Sequence, residues 1–477
     1  MTAEAERNLT RTTMMGMVVG SMVGAGIFSL PATFGNATGP FGALIAWAIA
    51  GTGMLMLAFV FQFLAVRKPD LDAGIFTYAK EGFGNYLGFI AAFGFWAGSC
   101  LGNTTYFILI KSTLGAAVPA FGEGNTIPAV AISSVILWSI HFMILRGVKQ
   151  AAAINKVVTI AKIVPIIIFI IILAFAFKKD LFAESFWGGG DYNFGDVMGQ
   201  VRRTMLVTVF VFIGVEGASV FSRYAKNRAD VGWATVMGFI GVLCLMILVT
   251  LLPYGVMLRP DIADLRQPSM AGVLQAVVGT WGAVFISIGL IVSVLGAYLA
   301  WTLLCAEALF TASKYELVPR VFGRENKNGV PHIALWLTNI LVQIFLILTI
   351  FAQYAFDLTL EMTSAMTLIP YLLVAAYGFR LAFTRETYLS DPVSLRNREL
   401  FFALIASLYA LFMIFAGGLE YVLLGCILFA PGTLMFIFAR RERGLSTFTK
   451  PELLLFAATV IGAIIGIYAL ATGAITL

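Results

Sequence analysis

Two ionisable side chains stand inside long apolar runs of this sequence. Glu216 interrupts the run near residues 203–222, and Lys162 interrupts the run near 153–177. A charge at mid-bilayer is unfavourable by about 2.5–3.5 kcal/mol on insertion scales, so such residues usually line a pathway or pair with one another. Glu216 could act as a counter-charge, or as a proton-sensitive group, near a cationic substrate. Lys162 could be a fixed cation that replaces a bound sodium ion, or it could titrate. The alternative for Glu216 is a structural hydrogen bond between helices. The alternatives for Lys162 are snorkelling to the membrane interface and pairing with a backbone carbonyl.

Glycines interrupt two of the apolar runs. The first run contains Gly-Ala-Gly at 24–26, and the sixth contains Gly-Val-Glu-Gly at 214–217. Lipid cannot pair with the N–H and C=O groups that such a break frees, so these groups must face protein, water or a ligand. The exposed end of a half-helix also attracts a carboxylate through its dipole. Close helix packing through Gly16, Gly20 and Gly24 is the alternative for the first run.

The two breaks also resemble each other in sequence. Residues 24–29 (Gly-Ala-Gly-Ile-Phe-Ser) and 217–222 (Gly-Ala-Ser-Val-Phe-Ser) are identical at four of six positions. They lie five spans apart, and an odd number of spans per repeat inverts the second copy. Broken helices at matching positions of inverted repeats indicate a ligand site near the membrane midplane.

Polar and aromatic residues in other runs could line that site. Asn103 is unfavourable in lipid and is expected to face the interior. Trp301 lies in the middle of a run, whereas membrane tryptophans usually mark the interface, so it indicates either a cavity wall or core packing. Phe210 precedes the second break, where an aromatic face could stack on a guanidinium-bearing chain.

The sequence argues against several other classes of protein. Four cysteines lie in apolar runs without metal-ligand spacing, and there are only two histidines. No nucleophile–base pair, metal site or cofactor is therefore expected, which disfavours an enzyme. The sequence contains no repeated filter motif, which disfavours an ion channel. The net charge of +6 is spread over short loops rather than one patch, which disfavours nucleic-acid binding.

The composition places these residues in a membrane protein. The 477 residues are 60% apolar and 12% charged, with a mean hydropathy of +0.93, and this is too little charge to cover a soluble globule. A spanning helix needs about 20 mainly apolar residues. Thirteen runs meet this requirement, near 12–34, 40–64, 84–110, 127–145, 153–177, 203–222, 232–258, 281–311, 334–352, 359–382, 401–417, 420–439 and 452–474.

The distribution of basic residues predicts the orientation. With a cytoplasmic N-terminus, 23 of the 31 Lys and Arg residues fall in cytoplasmic segments, and the bias alternates through every loop. Cytoplasmic loops are enriched in these residues. We therefore expect a multi-pass protein of a bacterial inner membrane with its N-terminus inside the cell and its C-terminus outside.

Several segments resemble the amino acid–polyamine–organocation superfamily, in its basic amino acid/polyamine antiporter branch. The resemblance extends over essentially the whole chain. The segments that carry it are GSMVGAGIFSLP at 20–31, LGN at 101–103, FIGVEGAS at 212–219, WTLL at 301–304 and LIPY at 368–371.

The resemblance implies an all-α polytopic fold with five-plus-five inverted repeats, as in LeuT-like transporters, with helices 1 and 6 discontinuous. One transporter domain would cover 1–477, with a ten-helix core at 12–382 and additional C-terminal helices at 401–474. The implied activity is exchange of arginine for ornithine by alternating access, as in the arginine deiminase pathway, without a cofactor. The alternative is a proton-coupled permease for a cationic or other amino acid. The sequence is compatible with a homodimer.

The resemblance also implies which residues bind the substrate. Its carboxylate would meet backbone amides at the first break, and its amine would meet carbonyl groups at the second. Matching the family's positions gives Met22, Gly24, Ala25 and Gly26 for the carboxylate, Phe210 and Ile213 for the amine, and Gly98, Ser99, Asn103, Tyr106, Trp301 and Thr363 around the side chain. Tyr371 matches a gating aromatic, and Glu216 and Lys162 are candidates for gating or coupling. Phe210, Phe95 and Ala25 stand where relatives often carry Trp, Tyr and Ser.

Overall fold

The computed structural model describes residues 11–71, 75–147, 151–189, 193–216, 228–352, 354–389 and 391–475. Short 3-10 helices and turns join the α-helices in these ranges. The α-helices described are α1 (Arg11–Met22), α2 (Leu30–Ala37), α3 (Pro40–Arg67), α4 (Ile75–Phe83), α5 (Asn85–Gly115), α6 (Ile127–Leu145), α7 (Ala151–Ala176), α8 (Lys179–Glu184), α9 (Phe194–Phe210), α10 (Arg228–Leu251), α11 (Arg259–Ala263), α12 (Ser269–Val278), α13 (Thr280–Lys314), α14 (His332–Leu348), α15 (Ala355–Thr384), α16 (Val393–Gly417), α17 (Leu419–Arg441) and α18 (Lys450–Ala471).

Ten elements in the described ranges are long and apolar enough to cross a membrane. Nine are single helices, namely α3, α6, α10, α13, α14, α15, α16, α17 and α18, and the tenth is the pair α1–α2, which bends by 49° at its break. Their outward side chains are apolar, as at Leu454 and Tyr468 of α18, which are 73% and 69% exposed. Such a surface requires lipid, so the chain is an integral membrane protein.

The other three expected spans correspond to α5, α7 and α9. Helix α5 is long enough to cross a bilayer, since its 31 residues rise about 46 Å, but its polar content keeps it below the hydropathy of the ten. Nearly all of its side chains are buried in protein, including Ser99, Asn103, Thr104 and Thr105. A helix that contacts protein on all sides does not need an apolar surface. The total of thirteen spans stays a prediction.

Two helices begin earlier than the sequence predicted. Helix α16 begins at Val393 rather than near 401, and its first turns carry Arg396 and Arg398, which lower the hydropathy of that stretch. Helix α9 begins at Phe194 rather than near 203, because the Asn193 side chain caps it by accepting a hydrogen bond from the N–H of Gly195. Both extensions contain charged and polar residues, which an apolar criterion excludes.

The chain departs from α-helical geometry at both of the predicted interruptions. Helix α1 ends at Met22, Gly24 is extended, and a 3-10 helix over Ala25–Ser29 leads into α2. Helix α9 ends at Phe210, and turns follow to Glu216. The remainder of the second interruption, including the 217–222 segment that resembles 24–29, lies outside the described residues.

Helix α5 forms the centre of the packing. It contacts α15 along one side and α13 along another, while α15 also packs against α9 and α16. Helices α17 and α18 pair with each other, and α17 rests on α5 and α15. The 3-10 helix of the first break packs against α12 and α13, and α9, which leads into the second break, packs against α3 and α15. The division into inverted repeats and a ten-helix core stays a prediction.

Candidate functional site

The two breaks contact each other directly. Ser21 donates a hydrogen bond from Oγ to the carbonyl oxygen of Gly214 at 3.0 Å. Gly214 has φ +107°, and a Cβ there would lie 2.6 Å from the carbonyl oxygen of Ser21. A Cβ on Gly26 would lie 2.8 Å from both Phe210 Cδ1 and Val211 Cγ1. Glycine at each break thus permits an approach that a larger residue prevents.

A small chamber lies where the breaks meet. Its volume is about 30 Å³, which is room for one or two water molecules. An amino acid therefore requires its walls to move apart. The lining comes from the first break, α5, the end of α9 with the turns after it, α13 and α15, and consists of Ser21, Met22, Gly24, Ala25, Gly26, Ser99, Gly102, Asn103, Tyr106, Phe210, Val211, Ile213, Trp301 and Thr363.

Eleven of the twelve residues expected around a substrate line this chamber, and Gly98 does not. A Cβ on Gly98 would lie 3.0 Å from Met366 Cβ and 3.4 Å from the carbonyl oxygen of Thr363. Gly98 therefore allows α5 to pack closely against α15. Gly102, one turn further along α5, lines the chamber instead.

Asn103 offers a free hydrogen-bond acceptor to the chamber. Its side chain is fully buried, and Nδ2 donates to Thr302 Oγ1 at 3.3 Å. Among the described residues Oδ1 has no hydrogen-bond partner. A buried, unpaired carbonyl oxygen is unfavourable by about 1–3 kcal/mol, and a ligand N–H group entering the chamber would relieve this penalty.

Aromatic side chains form other parts of the wall. Trp301 is only partly buried and faces the chamber from α13, with its ring centroid 6.3 Å from that of Phe95. Phe210 lies against Gly26, and the Tyr106 hydroxyl lies 3.3 Å from where Gly24 would carry a Cβ. These rings offer π faces and one hydroxyl beside the main-chain groups of the first break.

Glu216 and Tyr371 form a hydrogen-bonded pair beside the second break, outside the chamber lining. Tyr371 donates a hydrogen bond from its hydroxyl to Glu216 Oε2 at 2.7 Å, and the N–H of Gly214 donates to the same oxygen at 3.1 Å. Both side chains are buried. The carboxylate therefore fixes the turn at the second break and connects it to α15.

Lys162 lies beside the first break without lining the chamber. Its Nζ donates a hydrogen bond to the carbonyl oxygen of Gly20 at 3.0 Å, in the last turn of α1. This is the carbonyl-partner arrangement that the sequence had left open, and the amine provides a cation where α1 ends. Among the described residues, no group of three or more His, Cys, Asp or Glu side chains could hold a metal ion.

A vestibule of about 1230 Å³ lies at the opposite end from Glu216 and Tyr371. Elements that line the chamber reach the vestibule within about a turn, for example from Tyr106 to Ile108 and from Thr363 to Glu361. The Tyr421 hydroxyl donates to Glu361. Carboxylates outnumber guanidinium groups among its charged lining residues, which are Glu123, Asp264, Asp357, Glu361 and Glu420 with Arg202, Arg203 and Arg266.

Three lining residues were absent from the sequence-based set, namely Ser21, Gly102 and Val211. Helical spacing could have identified Gly102, because positions 99, 102, 103 and 106 of α5 share one face. Ser21 could have been identified as a hydroxyl just before the first break. Nothing in the sequence distinguishes Val211 from other apolar residues near it.

Comparisons with known proteins identify the family of the chain. The family model described as "Amino acid permease" matches residues 9–424. The chain is 50% identical to an arginine/ornithine antiporter of Pseudomonas aeruginosa, with both chains covered completely. It is 38% identical to an L-lysine transport protein of Corynebacterium glutamicum (100% of this chain and 97% of the relative) and 38% identical to an arginine/agmatine antiporter of Chlamydia pneumoniae (99% of each). The chain therefore belongs to the amino acid permease family.

Proposed function

We propose that this protein exchanges arginine for ornithine across a bacterial inner membrane by alternating access. The observation that carries the proposal is the contact of two helix breaks, Ser21 to Gly214, around a chamber that contains the unpaired oxygen of Asn103. The substrates are those in the name of the arginine/ornithine antiporter that is 50% identical over the full chain.

The main chain of the breaks would hold the part that all amino acids share. A 3-10 helix begins at Ala25, so its first N–H groups have no partner within the helix and can receive a carboxylate. Carbonyl groups of Phe210 and Ile213 at the second break can accept hydrogen bonds from an α-ammonium group. Arginine and ornithine share both groups, so one pair of breaks serves both substrates.

The cationic end would lie between Asn103 and the aromatic wall. Asn103 Oδ1 accepts a hydrogen bond from guanidinium or ammonium, and Trp301 offers a face for a cation–π contact. The acidic vestibule favours the approach of cations to this chamber. These features support basic amino acids over neutral ones.

Alternating access requires that only one side of the chamber is open at a time. The vestibule gives room on one side, and we assign closure of the other side to the hydrogen bond between Tyr371 and Glu216. The orientation predicted from the basic residues directs the vestibule to the outside and the closed end to the cytoplasm. Rupture of the Glu216–Tyr371 hydrogen bond would then accompany opening to the inside.

A single transporter domain over 1–477 and a homodimer remain further predictions.

Counterflow in proteoliposomes tests the proposal. Vesicles loaded with labelled arginine should release it when ornithine or arginine is added outside, and not when the outside lacks substrate. Vesicles with the Gly26→Leu variant should release little. The Gly241→Leu variant should behave as wild type, because among the described residues no neighbouring atom lies within 4 Å of a Cβ at Gly241. Equal release without outside substrate would refute obligatory exchange.

A proton-coupled permease is the second candidate, and the position of Lys162 favours it. Its amine contacts the carbonyl oxygen of Gly20, two residues before the chamber-lining residue Met22. Loss of its proton could therefore alter the first break. This function predicts that an imposed pH gradient alone concentrates labelled arginine in empty vesicles. No accumulation under the gradient, together with intact exchange, would exclude it.

A further inference from the structure

A second cavity lies away from the chamber, between the C-terminal pair α17–α18 and helices α5, α15 and α16. Its volume is about 290 Å³. Apolar side chains form most of the lining, among them Ile90, Met366, Phe429 and Leu455. We propose that this cavity is a binding site for one acyl chain of a membrane phospholipid.

The polar groups in the lining already have partners within the protein. The Tyr86 hydroxyl pairs with Thr433 Oγ1 at 3.2 Å, and the Tyr421 hydroxyl donates to Glu361. Thr459 Oγ1 donates at 2.9 Å to the main-chain carbonyl one turn before it. A buried water needs two to four polar partners, and these groups offer it few, so the cavity favours hydrocarbon over water.

The cavity is long enough for part of an extended acyl chain. Its lining residues on α17 run from Tyr421 to Phe429, which is about 12 Å along the helix axis. A water-sized group occupies about 30 Å³, so 290 Å³ holds roughly ten groups of that size. Left empty, the lining atoms would lose dispersion contacts on their inner side.

The rim of the cavity opens onto the surface that faces lipid. Val422 of α17 and Leu455 of α18 line the cavity and are also 41% and 43% exposed. In a bilayer this exposed surface is covered by acyl chains, so a chain can enter the cavity without passing through water. The acyl chain would therefore enter the cavity from the surrounding bilayer.

Gly425 provides a way to fill the cavity without disturbing its walls. It lines the cavity, and a Cβ there would lie 3.6 Å from Met366 Sδ and 3.9 Å from Phe429 Cε2, which is ordinary contact. The Gly425→Leu variant should place its side chain where the acyl chain lies. Gly241→Leu is the matched control, since Gly241 has open space around it.

The experiment uses the full chain in vesicles of phosphatidylethanolamine and phosphatidylglycerol, with a trace of phosphatidylglycerol that carries a diazirine at mid-chain. After photolysis, mass spectrometry locates the adducts. We expect adducts on the inward residues Met366, Cys426 and Phe429 as well as on the outer face at Leu454 and Tyr468. Gly425→Leu should lose most of the inward adducts and keep the outer ones, while Gly241→Leu keeps both.

Two results would overturn the proposal. One is labelling of the outer face alone in the unaltered protein, and the other is undiminished inward labelling in the filled variant. Should Gly425→Leu fail to fold, Ala365→Leu fills the same cavity from α15.

Discussion

Gly26→Ala is the substitution whose effect on transport can be derived most directly from the structure. The new methyl group would lie 2.8 Å from Phe210 Cδ1, 2.8 Å from Val211 Cγ1 and 3.0 Å from Phe210 Cε1. Such overpacking typically destabilises a packed arrangement by about 1–3 kcal/mol. If the penalty falls on the closed state through which each exchange step passes, the maximal exchange rate should drop about 5- to 150-fold.

The assay is counterflow of labelled arginine into proteoliposomes loaded with ornithine, with the apparent KM and maximal rate measured separately. Gly241→Ala is the matched control, because nothing lies within 4 Å of its new methyl group. Gly24→Ala should have a smaller effect than Gly26→Ala, since its Cβ meets only the Tyr106 hydroxyl, at 3.3 Å. The amount of protein in the membrane and its melting temperature show whether the variant folds.

A second substitution tests the cause of the effect. Val211→Ala removes one of the two atoms at 2.8 Å, so Gly26→Ala combined with Val211→Ala should recover part of the lost exchange rate. The reasoning would be refuted by wild-type KM and rate in Gly26→Ala. It would also be refuted if the loss in the double variant equalled the sum of the losses in the single variants.

Three further predictions concern the walls of the chamber. Asn103→Leu removes the free acceptor and should raise the KM for arginine about tenfold to a hundredfold, and an unchanged KM in counterflow would exclude Asn103 from the site. Trp301→Ala should raise the KM about 2- to 30-fold, whereas Trp281→Ala, on the same helix but 57% exposed, should leave it unchanged; equal effects would argue against a cation–π contact. Glu216→Gln should change the dependence of the exchange rate on pH, and Tyr371→Phe should change the magnitude of the rate, because each substitution alters the hydrogen bond between the two side chains. Unchanged profiles of rate against pH in both variants would assign the pair a purely structural role.

The breaks could be predicted from the sequence because their causes are local. Gly24, Gly26 and Gly214 lie in apolar runs where lipid cannot pair with freed main-chain groups, and the structure places departures from α-helical geometry there. The chamber face of α5 follows from the spacing of its residues. The resemblance identified most of the α5 positions that line the chamber. It did not separate Gly98, which packs against α15, from Gly102, which lines the chamber, because this depends on where along α5 the helix α15 makes contact.

The vestibule and the lipid-facing cavity could not be predicted in this way. Glu123, Asp264 and Glu361 are far apart in sequence, and only the packing of several helices brings them to one space. Helix α5 is enclosed by protein, and its sequence alone does not indicate which helices enclose it. Pairings such as Ser21 with Gly214 also depend on how the two halves approach each other.

The enclosed position of α5 has a consequence for the biogenesis of the protein. Its polar residues make it a poor candidate for stable partitioning into lipid on its own, while its main neighbours α13 and α15 begin at residues 280 and 355. At 5–20 residues per second, ribosomes take roughly 10–30 s to proceed from the end of α5 to the start of α13. During that interval the nascent α5 must be retained by the insertion machinery or by the helices already synthesised, so folding of the central helix depends on assembly rather than on stepwise insertion.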